Sequence, residues 1–144
     1  MSVYPTGGDA MTTASTALDL SAIAKRYFAA WEAHDIDAIV ALHTPDSQFQ
    51  AHGRGAAVHG SAALRREFAQ VFELYPGFGF EERRLLFGIG HWVLDWTLTF
   101  QRPGEDRRGV HCLDVVEVAS DGLVTRKDTF FDFAELKAAF GGAA

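Results

Sequence analysis

The sequence contains a single cysteine, Cys112, among 144 residues, so no disulfide can form within the chain. Cys112 lies in an apolar segment, which predicts a small buried thiol and a cytoplasmic protein. Positive charge is also scarce, because 13 Lys and Arg stand against 19 Asp and Glu, for a net charge of −6. Nucleic acids and anionic membranes both require a basic face, so neither is expected as a partner.

Several functional signatures are missing as well. No apolar run is long enough to span a membrane, and the first residues lack the basic and apolar regions of a signal peptide. Residues 1–18 are expected to be a flexible lead-in to a single domain over residues 19–144. The motifs of serine hydrolases, phosphate-binding loops, dinucleotide folds and HExxH metalloenzymes do not occur. Six histidines without ligand spacing predict no metal site, and no cofactor is expected.

Apolar residues make up 48% of the chain, enough for a core built around twelve Phe and three Trp. Helical spacing predicts a helix through IAKRYFAAWEAHD, capped by Asp19 or Ser21, a second over Asp37 to His43, and a third that Ser61 caps. Strands are expected in SQFQAHG, FGFEERRLLFG, HWVLDWTLTFQ, GVHCLDVVEV and LVTRKDTFFDF, before a helix over 133–140. This order predicts an α+β domain in which N-terminal helices cover a curved antiparallel sheet wrapped around a pocket.

Three aspartates lie at the middles of three successive strand-like segments. If the first turn is centred between Gly104 and Glu105, Asp95 lies opposite Asp114, and Asp128 lies opposite Asp114 or within two residues of it. Because side chains alternate with period two, all three carboxylates are expected on one face, although a single bulge would break this register. Their expected neighbours on that face are Val93, Thr97, Cys112, Val116 and Phe130.

A buried group of carboxylates persists only if one member is protonated or a cation is present, and such a group can both donate and accept protons. The simpler alternative is that individual aspartates face solvent or cap turns. A row of apolar residues alternates with the aspartates and would need cover on the opposite face, which predicts a homodimer through the outer sheet face. This row consists of Trp92, Leu94, Trp96 and Leu98.

The segment RYFAAWEAHDIDAIVALHTPDSQFQAHG resembles the opening of the nuclear transport factor 2-like superfamily, which includes ketosteroid isomerase and the SnoaL-like polyketide cyclases. The segments GSAALRREF and KDTFFDFAELKAAF, and the Asp-containing strand before SDGLVT, extend the resemblance over about residues 21–140. The resemblance implies a cone-like α+β barrel with an internal pocket. This scaffold hosts isomerases, cyclases, hydrolases, dehydratases and non-catalytic binders, so the fold alone does not choose among them.

The ketosteroid isomerase pattern is kept in part. Tyr27 matches the helix tyrosine of that family, and Asp114 matches the strand acid of its oxyanion hole. The position of the general base is Ala51, which cannot abstract a proton.

The limonene epoxide hydrolase pattern offers a different match, in which Asp95 and Asp128 correspond to the two catalytic acids. The bridging arginine of that pattern is Val93 here, and Arg126 or Arg84 are the candidates to replace it. The water-binding Tyr and Asn of the pattern fall at Phe49 and Ala51.

We therefore expect a cofactor-free isomerase, cyclase, lyase or epoxide hydrolase acting on a small apolar oxygen-bearing molecule. Asp128 and Asp95 would handle protons, while Tyr27 and a neutral Asp114 would donate hydrogen bonds to a developing oxyanion. His52 could supply a base only if its strand twisted inward. The alternative is a non-catalytic small-molecule-binding or dimerisation module of the same fold. The expected pocket lining is Trp31, Phe49, Ala51, Phe68, Phe72, Val93, Cys112 and Phe130.

Overall fold

The computed structural model describes residues 18–141. The expected lead-in therefore lies outside the described residues except for its last position, as do residues 142–144. The helices are α1 (Leu20–Glu32), α2 (Ile36–Ala41), α3 (Ser61–Leu74) and α4 (Phe133–Ala139). The strands are β1 (His43–Ala51), β2 (Val58–His59), β3 (Gly79–Phe87), β4 (His91–Phe100), β5 (Arg108–Val118) and β6 (Val124–Phe131). Within residues 18–141, no helix combines the length and apolar character that crossing a membrane requires.

Aspartate caps begin three of the four helices in the described part of the chain. Asp19 accepts a hydrogen bond from the Ala22 amide at 3.0 Å, and Asp35 and Asp132 cap α2 and α4 in the same way. These caps satisfy amides that have no partner inside the helix. Helix α3 differs, because Gly60 is its N-cap and makes no side-chain bond. The prediction that Ser61 caps this helix is therefore wrong, since Ser61 is its first helical residue.

The six strands form one curved, unclosed sheet in the order β2-β1-β6-β5-β4-β3. This confirms the expected α+β architecture with helices over the sheet. Neighbouring strands are antiparallel except for β1 and β6, which run parallel. We call the face that packs against α1 the inner face and the opposite one the outer face.

The turn between β4 and β5 sets a register one residue away from the expected one. The loop over 101–107 is centred on Gly104, whose φ of 78° suits glycine. As a result Leu94 pairs with Asp114, and Asp95 pairs with Leu113. A shift of one residue moves a side chain to the other face of a strand, so Asp95 and Asp114 lie on opposite faces.

A bulge changes the register between β5 and β6 as well. Val118 pairs with Val124, but Glu117 pairs with Arg126, because the register shifts between them. Asp114 therefore pairs with Thr129, and Asp128 pairs with Val115. The prediction that the three aspartates share one face is wrong, since Asp114 alone faces inward.

The row of apolar side chains in β4 faces inward and is covered by the chain's own helices. Trp92 and Leu94 are at most 3% exposed. Tyr27 and Phe28 of α1 pack on Trp92, with ring centroids 5.7 and 5.9 Å away. The prediction that this row lies on the outer face and needs a partner chain is therefore wrong.

Candidate functional site

A cavity lies between the inner face of the sheet and the helices, and it has room of about 50 Å³ for water-sized molecules. One water requires roughly 10–15 Å³ of free volume, so the cavity accepts a few waters. A larger ligand requires side chains to move. Most of the lining is aromatic or aliphatic, as small-molecule sites usually are. The lining residues are Tyr27, Phe28, Trp31, Phe49, Ala51, Arg54, Val71, Tyr75, Phe78, Phe80, Trp92, Leu94, Trp96, Leu98, Asp114, Lys127, Thr129 and Phe131.

Asp114 is the carboxylate of this lining, and it is 4% exposed. Its Oδ1 accepts a hydrogen bond from Thr129 Oγ1 at 2.8 Å, and its Oδ2 lies 3.6 Å from Lys127 Nζ. Both partners come from β6, the strand beside β5. The register that turns Asp114 inward thus also brings its two polar partners into the same apolar interior.

Lys127 is a functional candidate that the sequence does not predict. It is 6% exposed, and its Nζ lies 4.2 Å from the ring centroid of Trp31 and 5.1 Å from that of Tyr27. Aromatic faces attract cations at these distances, and the attraction grows where water is excluded. The segment RKD offers no signal for this placement, because only the bulge near Thr125 decides whether Arg126 or Lys127 turns inward.

A buried hydrogen-bond chain runs from Tyr27 to β1. The Tyr27 hydroxyl lies 2.8 Å from His43 Nε2, and His43 Nδ1 lies 2.8 Å from Ser47 Oγ. Burial, and then the positive charge of Lys127, lower the pKa of His43 to about 3, so the imidazole is neutral near neutral pH. Burial also raises the pKa of the Tyr27 phenol, an effect that Lys127 partly opposes.

Two arrangements of protons are open to this chain. If Nδ1 carries the imidazole proton, the Tyr27 hydroxyl donates to Nε2. If Nε2 carries it, His43 donates to the Tyr27 oxygen, and the phenol proton is free to bond a ligand oxygen. The neutral histidine thus allows Tyr27 to act as a hydrogen-bond donor in the cavity.

Further donors around the cavity have no acceptor within residues 18–141. They are the indole N–H groups of Trp31, Trp92 and Trp96, and one guanidinium nitrogen, Nη1, of Arg54. The other terminal nitrogen of Arg54 lies 3.3 Å from Glu67 Oε1. Because buried polar groups are normally paired, these N–H groups can bond a water or another acceptor.

Asp95 lies on the outer face, away from the cavity. Its carboxylate contacts His111 Nε2 at 2.5 Å and Arg84 Nε at 3.0 Å. These hydrogen bonds, first that of His111 and then that of Arg84, hold the pKa of Asp95 below its usual range.

Asp128 occupies a second cluster on the same face. It contacts His52 Nε2 at 2.7 Å and Arg126 Nε at 2.8 Å, while the His52 ring stacks on Phe130 at 4.2 Å. Burial would raise the pKa of Asp128, but the bonds from Arg126 and His52 outweigh it and lower the pKa. Arg84 and Arg126 thus each bind an aspartate, as considered above, but the two clusters lie outside the cavity.

The structure brings Tyr27, Asp114, Trp31, Phe49 and Ala51 together in the lining, as expected. The remaining expected residues lie elsewhere. Phe68 and Phe72 pack on Trp31 at centroid distances of 5.0 and 5.4 Å without lining the cavity, and Cys112 is buried nearby with its pKa raised by burial. Val93 and Phe130 are on the outer face, because of the shifted registers. Over residues 18–141, no three His, Cys, Asp or Glu side chains are grouped to hold a metal ion.

We predict that His43 makes the stability of the protein pH-dependent. Above its unfolded pKa of about 6.5, the imidazole is neutral in both states and the full stability is present. As the pH falls towards about 3, the unfolded chain binds a proton that folded His43 does not, so the free energy of unfolding falls. The total loss is of the order of a few kcal/mol, at about 1.4 kcal/mol per pKa unit.

Urea unfolding of the wild type and of His43→Gln at several pH values between about 6.5 and 4.5 measures this effect. The variant should lose less stability over that range, whatever its stability at neutral pH. Equal losses in both proteins would contradict the buried, neutral His43.

Comparison with known proteins agrees with this architecture. A family model described as SnoaL-like domain matches residues 24–127. The search of curated proteins gave no match. Among solved structures, the epoxide hydrolase/cyclase-like enzyme SalBIII, described in pyran ring formation in the polyether salinomycin, is 20% identical with a TM-score of 0.71, over 80% of this chain and 92% of that one.

Two further solved structures share the fold. A protein with a ketosteroid isomerase-like fold from Catenulispora acidiphila DSM 44928, in complex with trimethylamine, is 15% identical with a TM-score of 0.73, over 83% of this chain and 92% of that one. A candidate SnoaL-like polyketide cyclase from Shewanella denitrificans OS-217 is 14% identical with a TM-score of 0.71, over 84% of this chain and 96% of that one. The family match covers most of the chain, and the chain therefore belongs to the SnoaL-like domain family.

Proposed function

We propose that this protein is an acid/base enzyme that isomerises, cyclises or cleaves a small, largely apolar, oxygen-bearing molecule in the inner cavity. The observation that carries the proposal is the position of Asp114, a buried carboxylate between Lys127 and Thr129 in an aromatic lining. Asp114 takes up and returns the proton in this proposal. This replaces the role of a neutral hydrogen-bond donor that was expected for Asp114 from the sequence, because Lys127 forms an ion pair with its carboxylate. The roles first expected for Asp95 and Asp128 are not included, because both side chains lie on the outer face.

The groups around Asp114 suit this chemistry. A proton acceptor in an apolar cavity needs a nearby donor to hold the oxygen on which negative charge develops. Tyr27 can donate its phenol proton when His43 donates to the phenol oxygen, and Lys127 supplies a positive charge close by. The arrangement therefore supports proton transfer next to a polarised carbonyl or ether oxygen.

The related structures support the same class of reaction. SalBIII is described as an epoxide hydrolase/cyclase-like enzyme, and another relative is named for a ketosteroid isomerase-like fold.

We predict that Asp114→Asn lowers turnover per folded molecule at least about 100-fold, the usual contribution of a positioned acid or base. Urea unfolding gives the folded fraction under the assay conditions, because this change also removes the partner of Lys127. The assay uses a panel of small cyclic ketones and epoxides. Exchange of α-hydrogen for deuterium, followed by nuclear magnetic resonance, detects proton abstraction, and gas chromatography detects epoxide opening.

The matched control is Asp95→Asn, which makes the same chemical change outside the cavity and should leave the rate unchanged. All three tryptophans line the cavity, so intrinsic fluorescence reports binding separately from turnover. Binding without any turnover would favour a small-molecule-binding module instead. Turnover that survives in Asp114→Asn would contradict the proposed role of Asp114.

We also propose that two copies of the chain pair through the outer sheet face. An apolar patch of Leu86, Leu113 and Phe130, which are 52%, 36% and 42% exposed, lies on this face beside the Asp95 and Asp128 clusters. Each cluster combines an arginine and a histidine with its aspartate, so the face can pair with a copy of itself.

The cytoplasmic location expected from the single cysteine stays a prediction.

Analytical ultracentrifugation is expected to give twice the chain mass of 15.8 kDa. The double variant Leu113→Lys, Phe130→Lys should be monomeric, since like charges would meet across the interface. Ile89→Lys is the control, because Ile89 is fully exposed in the turn before β4 and should not affect pairing. A wild-type protein that sediments as a monomer at micromolar concentration would refute the proposal.

A further inference from the structure

Lys127 is a buried primary amine. The acid/base chemistry proposed for Asp114 does not require Lys127 to form a covalent bond. Of the three lysines in the chain, Lys25 and Lys137 are exposed, while Lys127 is 6% exposed and lines the cavity. A buried lysine is costly, and a stable fold does not require one at this position, because apolar residues can usually replace a buried ion pair. Stability therefore does not explain why a lysine is buried at this position, and we looked for a chemical role.

We propose that Lys127 is a nucleophile that forms a Schiff base with an aldehyde or ketone bound in the cavity. This inference rests on the proposed function and narrows its substrate class from oxygen-bearing molecules to carbonyl compounds. Buried lysines of this kind are used for Schiff-base chemistry in enzymes, because a primary amine adds readily to a carbonyl carbon once it has lost its proton.

Asp114 is placed to move that proton. Its Oδ2 forms an ion pair with Nζ at 3.6 Å. A side-chain movement of less than about 1 Å brings the two atoms within hydrogen-bond reach, where the carboxylate can accept a proton from the ammonium group and leave a free amine. The amine adds to the carbonyl carbon to give a carbinolamine. Asp114 then returns the proton to the hydroxyl group, which leaves as water, and a C=N bond forms. The net reaction of the ketone with the ammonium group gives an iminium ion and one water.

The surroundings of Lys127 suit the product as well as the reactant. The iminium ion carries the same positive charge as the ammonium ion, so the ion pair with Asp114 survives the reaction. The ring of Trp31, 4.2 Å from Nζ, attracts either cation. The apolar lining also disfavours the return of water, which would hydrolyse the iminium ion. Once formed, the iminium ion withdraws electrons from the neighbouring carbon and makes its hydrogen easier for a base to remove.

Reductive trapping tests this proposal on the full-length protein. The wild type is incubated with acetone and sodium cyanoborohydride near neutral pH, where the hydride reduces the C=N bond to a stable isopropyl-amine. Peptide mass spectrometry then measures the adduct at each lysine. We expect Lys127 to be modified at least about tenfold faster than Lys25 and Lys137, although it is the least exposed of the three.

Three variants complete the experiment. Lys127→Arg keeps the positive charge beside Asp114 but removes the primary amine, so the adduct on its peptide must disappear. Asp114→Asn keeps Lys127 but removes the proton acceptor, so trapping should slow. Lys25→Arg changes an exposed lysine and should leave the trapping of Lys127 unchanged.

An unmodified Lys127, or equal modification of all three lysines, would overturn the proposal. Epoxide opening that depends on Asp114 requires no Schiff base, so this activity without an adduct would retain the proposed function and reject the covalent step. An adduct at Lys127 in a protein whose turnover survives Asp114→Asn would instead support the nucleophile and reject the proposed acid/base role.

Discussion

The contact between Lys127 and Asp114 inside an aromatic core is the interaction on which the candidate site depends. Two opposite charges taken out of water lose hydration that their mutual attraction only partly restores, so a buried ion pair is weak evidence for stability. Removing one partner, however, leaves an uncompensated charge among apolar side chains. The pair therefore constrains its surroundings. Trp31 and Tyr27 pack against the Lys127 cation, and Thr129 donates a hydrogen bond to the Asp114 carboxylate, so both charged groups have defined neighbours.

Two local irregularities decide which carboxylate enters the cavity. The turn centred on Gly104 places Leu94 opposite Asp114, and the bulge after Glu117 places Thr129 opposite it. Each of these two features decides to which face of the sheet every side chain of a strand points, because side chains alternate with period two. With the turn and the bulge in place, only one of the three aspartates, Asp114, lies on the inner face, among aromatic rings. Asp95 and Asp128 lie on the outer face, where each forms an ion pair with an arginine and a hydrogen bond with a histidine. The same backbone features thus place Asp114 in the cavity and Asp95 and Asp128 on the outer face.

The sequence predicts much of this architecture for local reasons. Helical spacing and a cap at Asp19 or Ser21 predict α1, and Asp19 is the observed cap. Phe49 and Ala51 of β1 were expected to line the pocket, and both are buried and line the cavity. The resemblance to ketosteroid isomerase led to Tyr27 and Asp114, and both line the cavity.

The sequence could not show which side chains of β4 and β6 face the cavity. That depends on the exact centre of the turn at Gly104 and on one bulged residue before Arg126, and the alternating pattern shows neither. For that reason Lys127 was not predicted as a site residue, since the sequence pattern allowed the neighbouring Arg126 to face the cavity equally well. The hydrogen-bond chain of His43 and Ser47 has no recognisable sequence motif either, because only the folded chain brings the imidazole within hydrogen-bond distance of Tyr27, sixteen positions away in the sequence.

The most direct test of the account is a double-mutant cycle on Lys127 and Asp114. Unfolding free energies are measured for the wild type, Asp114→Asn, Lys127→Met and the double variant. The account predicts that each single change is strongly destabilising and that the coupling energy exceeds about 1 kcal/mol. Additive effects, within about 0.5 kcal/mol, would contradict a buried contact between the two side chains.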